Sequence, residues 1–315
     1  MLPLLMLVAG CATQPTPTMT PTPVVTPVTT DLGAQRHVLN QPPTLLINRG
    51  SAAEPMSWPS LIDQAIASDV VILGEQHDDA VGHAVQLALV EAVLQQCPGA
   101  AVAFEMLERD EQVLLDDYRD GIIDAKTLTS LTNSAQWGGA GSWEAWYQPI
   151  IDAGLNHDAM LIAANAPRRY VRVVRTDGFG SLDSLDRTRS GFVEIPNRPI
   201  TGPYRDRFME LMADHGDDVD SEMQESFFHS QQLWDSTMAD SVVAALRKGR
   251  RPVILLVGRF HSDRDGGTVQ YIKRARPYAK VLVISLEPNQ SPADPLVGGG
   301  DDGVAHDDVI VFTGP

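Results

Sequence analysis

Two apolar runs of this 315-residue chain end alike. Val70-Val71-Ile72-Leu73 leads into Gly74-Glu75-Gln76-His77, and Val253-Ile254-Leu255-Leu256-Val257 leads into Gly258-Arg259-Phe260-His261. Each run is rich in β-branched residues and short for a helix, so each reads as a buried strand running into a Gly-x-x-His turn. Glycine suits a position where the backbone turns sharply or passes close to something. Two further runs, Ala100–Phe104 and Ala159–Ala164, end at Glu105 and at Asn165-Ala166-Pro167-Arg168. Ligands collect where parallel strands deliver their carboxyl ends. Four neighbouring strands of this kind would gather Glu75, His77, Glu105, Asn165 and His261 at one rim, where such groups must satisfy each other or bind something. Two chemistries fit. Two neutral imidazoles and a carboxylate suit a divalent transition metal held by His77, Glu105 and His261, activating water with Glu75 as base. The same four residues, Glu75, His77, Glu105 and His261, suit general acid–base work on a substrate. Structural roles compete: Glu75 as a helix cap, Glu105 as partner of Arg109 at i+4, and His83 as a helix-surface residue off the face of His77.

The elements that would position these groups alternate between strand and helix. A first strand is expected over Thr44–Asn48, an amphipathic helix over Trp58–Ser68, and a helix over Ala80–Gln96 capped by Asp78 or Asp79. Helical periodicity returns over Glu108–Arg119. The Gly- and Trp-rich segment Trp137–Tyr147 leads into another helix, and Tyr204–Lys248 is the longest helical region, broken by an acidic loop near Gly216. Strands over Lys280–Ser285 and Val309–Phe312 complete the set, the last expected to be antiparallel at an edge. The fold class is therefore α/β, a mostly parallel sheet covered by helices on both faces, with a smaller helical lid at about 204–248.

Location is read from the first residues. Met1–Gly10 is short, uncharged and apolar, and Val8-Ala9-Gly10-Cys11 has small residues before a cysteine. This is the pattern of a lipoprotein signal peptide (1–10) with Cys11 as the lipidated residue, and Ala12 favours the bacterial outer membrane. Thr, Pro, Val and Gln dominate the next residues, an extended tether within 11–40, leaving 41–315 as one folded domain. Cys97 is the only other cysteine and reads as an inert buried thiol. The net charge of −17, with no basic stripe, argues against nucleic acid.

Leu73-Gly74-Glu75-Gln76-His77-Asp78, Phe104-Glu105-Met106, Trp137–Tyr147, Asn165-Ala166-Pro167-Arg168, Gln231–Ala239 and Gly258-Arg259-Phe260-His261 together resemble the ChaN-like family of haem-binding lipoproteins, over roughly residues 44–312. That family is distantly related to Tiki and TraB metal-dependent peptidases and to erythromycin-esterase-type hydrolases. The resemblance implies a lipid-anchored protein of haem or iron uptake, a homodimer around haem held through a tyrosine, or, alternatively, a metal-dependent hydrolase or peptidase. Tyr118, Tyr147, Tyr170, Tyr204, Tyr271 and Tyr278 are the candidate tyrosines, and Tyr147 lies in the matched Trp-rich segment. Gln231, Trp234 and Asp235 lie on the helix that would supply an apolar slot, and Arg168 is a cation for a propionate.

Overall fold

The structure, a computed structural model, describes residues 46–49, 54–132, 134, 137–213, 220–288 and 309–313. The expected signal peptide, Cys11, the tether and the acidic loop near Gly216 lie outside the described residues. The strands are β1 (Leu46–Arg49), β2 (Glu54–Pro55), β3 (Val70–Glu75), β4 (Ala101–Glu108), β5 (Met160–Asn165), β6 (Val253–Gly258), β7 (Val281–Glu287) and β8 (Val309–Phe312). They form one sheet in the order β2-β1-β8-β7-β3-β6-β4-β5. The six strands from β8 to β5 run parallel, and β1 and β2 add an antiparallel edge.

One expectation is corrected by the pairing. β8 is parallel to β7, pairing Ile284 with Val309, and β1 is the antiparallel neighbour. A four-residue apolar run carries no information about its direction; pairing on both flanks sets it.

Side-chain alternation divides the sheet into two buried faces. Val71, Leu73, Val102, Phe104, Ile254, Leu256 and Ile284 point into one core, shared with α1 (Trp58–Ile66) and α2 (Ala80–Gln96). Val70, Ile72, Ala101, Ala103, Val253, Leu255 and Val283 point into the other. At 25 cal/mol per Å², each such aliphatic side chain contributes on the order of 2 kcal/mol when fully buried. The helices are set by local signals: Ser57 and Asp79 cap α1 and α2 by accepting first-turn backbone N–H groups.

Between β4 and β5 lie a 3₁₀ turn (Arg109–Glu111), α3 (Gln112–Arg119), α4 (Ala125–Thr132), a π-helical segment (Trp143–Tyr147) and α5 (Gln148–Asn156). The helix expected over Glu108–Arg119 is shorter than periodicity suggested. Glu108 ends the strand and forms a capping box with Glu111. After β5 come α6 (Arg168–Asp177), α7 (Arg187–Ser190), α8 (Pro203–Ala213) and α9 (Ser221–Arg247), and α10 (Gly267–Ala275) precedes β7. The C-terminal half of α9 covers the sheet through Met238, Ala239, Val242, Ala245 and Leu246. Its N-terminal part instead joins α8 in a separate cluster of Ile200, Tyr204, Phe208, Met212 and Phe228. No helix among the described residues is long and apolar enough to cross a membrane.

Candidate functional site

The strand order places β3, β6, β4 and β5 side by side, so their carboxyl ends share one rim. β3 delivers Glu75 and, two residues on, His77. β4 delivers Glu105, and β6 ends at Gly258 before a 3₁₀ turn, Arg259–His261. The two Gly-x-x-His turns owe their glycines to close approach. A Cβ on Gly74 would lie 3.2 Å from the Arg259 Cα and collide with the Ser262 hydroxyl. A Cβ on Gly258 would lie 3.3 Å from His77 Nε2 and 3.4 Å from Glu105 Oε2, so the backbone there passes directly beneath the functional groups.

Glu75 is almost fully buried and carries three hydrogen bonds. His77 Nδ1 donates to Oε1 over 2.8 Å, the Tyr147 hydroxyl donates to Oε1 over 2.6 Å, and Gln86 Nε2 donates to Oε2 over 2.7 Å. Burial opposes the carboxylate charge, but the His83 and His77 imidazoles and the Tyr147 hydroxyl outweigh it and hold Glu75 down to about 2. His77 moves the other way. Burial would lower it, yet the hydrogen bond and charge of Glu75, helped by Glu105 and Asp78, raise it to about 9.

The second half of the rim repeats this arrangement on α9. His261 Nδ1 lies 2.7 Å from Asp235 Oδ1, and Asp235, with no exposure, also accepts from the Tyr204 hydroxyl (2.6 Å) and the Thr268 hydroxyl (2.7 Å). Gln231 Nε2 donates to the Tyr204 hydroxyl over 2.9 Å and lies 3.1 Å from His261 Nδ1. Burial works against a charge on His261, and Asp235 and Glu105 together raise it above its ordinary value. Glu105 stands between the halves. Its Oε1 is 3.5 Å from His261 Nε2, its Oε2 accepts the Gly258 N–H, and Asn165 Nδ2 donates to its backbone carbonyl over 3.0 Å.

Glu75, His77, Glu105 and His261 thus come together, joined by Gln231 and Asp235. As a metal centre the arrangement departs from expectation. Among the described residues no group of three or more His, Cys, Asp or Glu side chains is disposed to hold a metal ion. His77, Glu105 and His261 share the rim without forming a ligand set, because one Glu105 oxygen is occupied by the Gly258 N–H and the other faces His261. What the residues support directly is proton transfer: two imidazoles, each fixed through Nδ1 by a buried carboxylate, with Glu105 3.5 Å from the His261 Nε2.

Other expectations fall elsewhere. Glu105 does not pair with Arg109, which binds Asp240 and the Thr237 carbonyl instead. His83 is buried rather than surface-exposed, stacked on Trp146 at 4.6 Å with Nδ1 2.9 Å from Gln86 Oε1, because the Trp-rich segment covers α2. Tyr147 is fully buried, its hydroxyl spent on Glu75. Arg168 pairs with Glu108 at 3.2 Å and lies over the Trp137 ring at 5.4 Å. Trp234 is half-buried between two cores. Arg259 is held by Asp263 and Glu287 at 2.8 and 2.5 Å. Sequence reasoning missed Gln86 and Thr268 as orienters. Gln86 carries a weak signal, since it lies three residues from His83 on the helix that His77 leads into.

Of the six tyrosines, Tyr118 donates to Asp152, Tyr204 to Asp235 and Tyr271 to Gln232, and Tyr170 is buried under Arg169. Tyr278 is different: it is 98% exposed. It sits between α10 and β7 at the amino end of the parallel strands, opposite the rim, in a shallow depression with Leu246, Arg251, Arg276 and Pro277.

The fold is similar to that of solved structures. ChaN of Campylobacter jejuni, solved with cofacial haem, superposes with a TM-score of 0.63 at 20% identity, covering 85% of this chain and 96% of that one. The type III effector HopBA1 matches at a TM-score of 0.45 and 13% identity over 80% of this chain and 90% of its own. A mutant of erythromycin esterase EreC in its open conformation matches at 0.43 and 12% over 80% and 81%. No curated protein matches the sequence. Residues 61–272 match the family described as haem-binding uptake, Tiki superfamily, ChaN, a stretch holding both Gly-x-x-His turns, Glu105 and α9. The chain belongs to that haem-binding uptake family.

Proposed function

We propose that this protein is a haem-binding lipoprotein of haem or iron uptake, anchored through Cys11 to the bacterial outer membrane and binding ferric haem through Tyr278. The family match over residues 61–272 carries the haem reading. The choice of tyrosine rests on access. A phenolate ligand needs an open hydroxyl, and Tyr278 is the exposed one, while burial and Glu75 push Tyr147 well above the ordinary tyrosine range. Leu246 and Pro277 give the depression apolar surface for a porphyrin face. Arg276, whose buried Nε has no hydrogen-bond partner among the described residues, is the cation for a propionate, while Arg251 beside it is paired with Asp69 at 2.6 Å. A homodimer around the haem is the assembly this reading takes, and sedimentation with and without haemin reads it.

The test is a haemin titration of the full-length chain in detergent, followed at the Soret band. Saturation at one haem per chain, lost in Tyr278→Phe and kept in His77→Ala, is the expected result. Non-saturating uptake, unchanged by Tyr278→Phe, refutes it.

Hydrolysis at the rim is a second reading, supported by one specific observation. Two imidazoles are each held by a buried carboxylate, and a third carboxylate, Glu105, lies 3.5 Å from His261 and raises His77 through its charge. A haem site at Tyr278 would leave this constellation without a task.

A further inference from the structure

Resting on the haem reading of Tyr278, we propose that the face at the amino ends of the parallel strands seats on anionic phospholipid headgroups, so that Tyr278 draws haem from the bilayer rather than from water.

The net charge of −17 conceals a basic face that no single segment forms. Val70 pairs with Val281 on one side and Val253 on the other, so Lys280, Asp69 and Pro252 stand level before β7, β3 and β6. The segments leading into β3 to β7 bring Arg247, Lys248, Arg250, Arg251, Arg276 and Lys280 to this end, against the carboxylates Asp69 and Asp158. Arg251 is held by Asp69 at 2.6 Å, and Arg247 lies 3.8 Å from Asp240. Lys280 meets Asp69 through its backbone N–H, and through its charge only at a distance. Lys248, Arg250, Arg276 and Lys280 have no ion-pair partner among the described residues. Lys248 and Arg276 follow the last turns of α9 and α10, where the helix dipoles favour cations. Arg250 and Lys280 lie beyond both helices, and Tyr278 stands exposed among them, so helix capping does not account for the set.

Anionic headgroups match this face in charge and in depth. Each Lys or Arg near such a surface strengthens binding roughly 5-fold. Tyrosine settles at the headgroup level, with its ring toward the acyl chains and its hydroxyl in water. Haem, apolar rings bearing two propionates, divides itself between the same two layers. The rim carboxylates do not cancel the attraction: the six residues of β6 set them about 20 Å away, about two screening lengths at 0.1 M salt. The expected tether within 11–40 spans up to ~90 Å when extended, so the domain can turn this face to its membrane. A face turned to a second copy is not on lipid, so seating belongs to the haem-free monomer. On transfer, the Tyr278 phenol gives its proton to solvent as its oxygen ligates ferric iron.

Vesicle co-sedimentation tests seating separately from haem binding. The full-length Cys11→Ser chain, which takes no lipid, is mixed with vesicles of phosphatidylcholine alone or with about one-third phosphatidylglycerol; residues 1–10 meet both equally. Binding should be at least about 10-fold tighter on the anionic vesicles, and raised salt should abolish the difference. Lys248→Glu with Arg250→Glu should lower anionic binding by about 25-fold or more. Arg172→Glu with Arg187→Glu, the same charge change on exposed residues of α6 and α7, should leave it unchanged. Both double variants should titrate with haemin in detergent like the wild type, which also shows them folded. Haem uptake from haemin-loaded anionic vesicles should quicken with protein concentration and slow in the Lys248, Arg250 variant. Uptake at one rate for both proteins, whatever their concentration, means passage through water and overturns the bilayer source. Equal binding to both vesicles, or equal loss in both double variants, overturns seating while haemin titration stands. Anionic binding seen only after Asp301, Asp302, Asp307 and Asp308 are replaced by Asn gives the face to the chain's own acidic segment and also overturns it. A wild type that does not saturate with haemin in detergent sinks the haem reading instead, whatever the vesicles show.

Discussion

Replacing Glu75 by Gln keeps the shape of the side chain and removes one buried charge. Three donors point at this carboxylate: His77 Nδ1, the Tyr147 hydroxyl and Gln86 Nε2. A glutamine must turn its own amide N–H₂ toward one of them. The fall of Glu75 from 4.5 to about 2 corresponds to ~3 kcal/mol of stabilisation of the folded state at neutral pH. The rise of His77 to about 9 is largely the same contact seen from the imidazole and is not added to it. At ~3 kcal/mol, the variant should melt roughly 6–12 °C lower at pH 7. Because the carboxylate is depressed in the folded state, its contribution is complete above the ordinary value and fades as pH falls from 4.5 through about 2. On the alkaline side, the contribution of His77 is complete below 6.5 and fades as pH rises through about 9. Urea denaturation of both proteins from pH 2 to 10 measures the difference, and ¹H–¹⁵N spectra of the imidazoles report His77 titrating nearer its ordinary value in the variant. A stability difference that does not change with pH, or a His77 titration that does not move, would refute the reasoning.

Three further outcomes are set by the same geometry. Tyr147→Phe removes one donor from Glu75 and should cost ~1–2 kcal/mol in urea melts while leaving haemin binding at wild-type affinity; weakened haem binding would point to Tyr147 as the ligand after all. Gly258→Ala places a methyl 3.3 Å from His77 Nε2 and 3.4 Å from Glu105 Oε2, so stability should fall by ~1 kcal/mol in urea melts. Unchanged stability would show that the rim tolerates displacement. Asp235→Asn removes the charge that raises His261, so its titration should move down in NMR spectra. The stabilisation lost is complete below 6.5 and absent once pH exceeds the folded value, so acid melts should separate the two proteins most.

The sheet and its rim were legible because buried parallel strands are continuous apolar runs with polar residues at their ends. Glu75, His77, Glu105 and His261 stood out for that reason. The helix over Ala80–Gln96 was equally legible from its cap and spacing. The direction of β8 was not, since Val309–Phe312 looks the same read either way. The partners of the histidines were half legible. Gln231 and Asp235 share a helix face, but that α9 lays this face over His261 depends on packing between distant segments. His83 was misread because a polar residue on α2 gives no hint that Trp146 covers it. Nor does sequence separate six tyrosines: only exposure sets Tyr278 apart from Tyr147.

Electron paramagnetic resonance and resonance Raman spectra of the haemin-loaded, full-length protein read the iron ligand directly. High-spin ferric haem with an iron–phenolate vibration, abolished by Tyr278→Phe and unchanged by His77→Ala and Tyr147→Phe, is the predicted result. An imidazole-type spectrum lost in His77→Ala or His261→Ala would place haem at the rim and contradict the assignment to Tyr278.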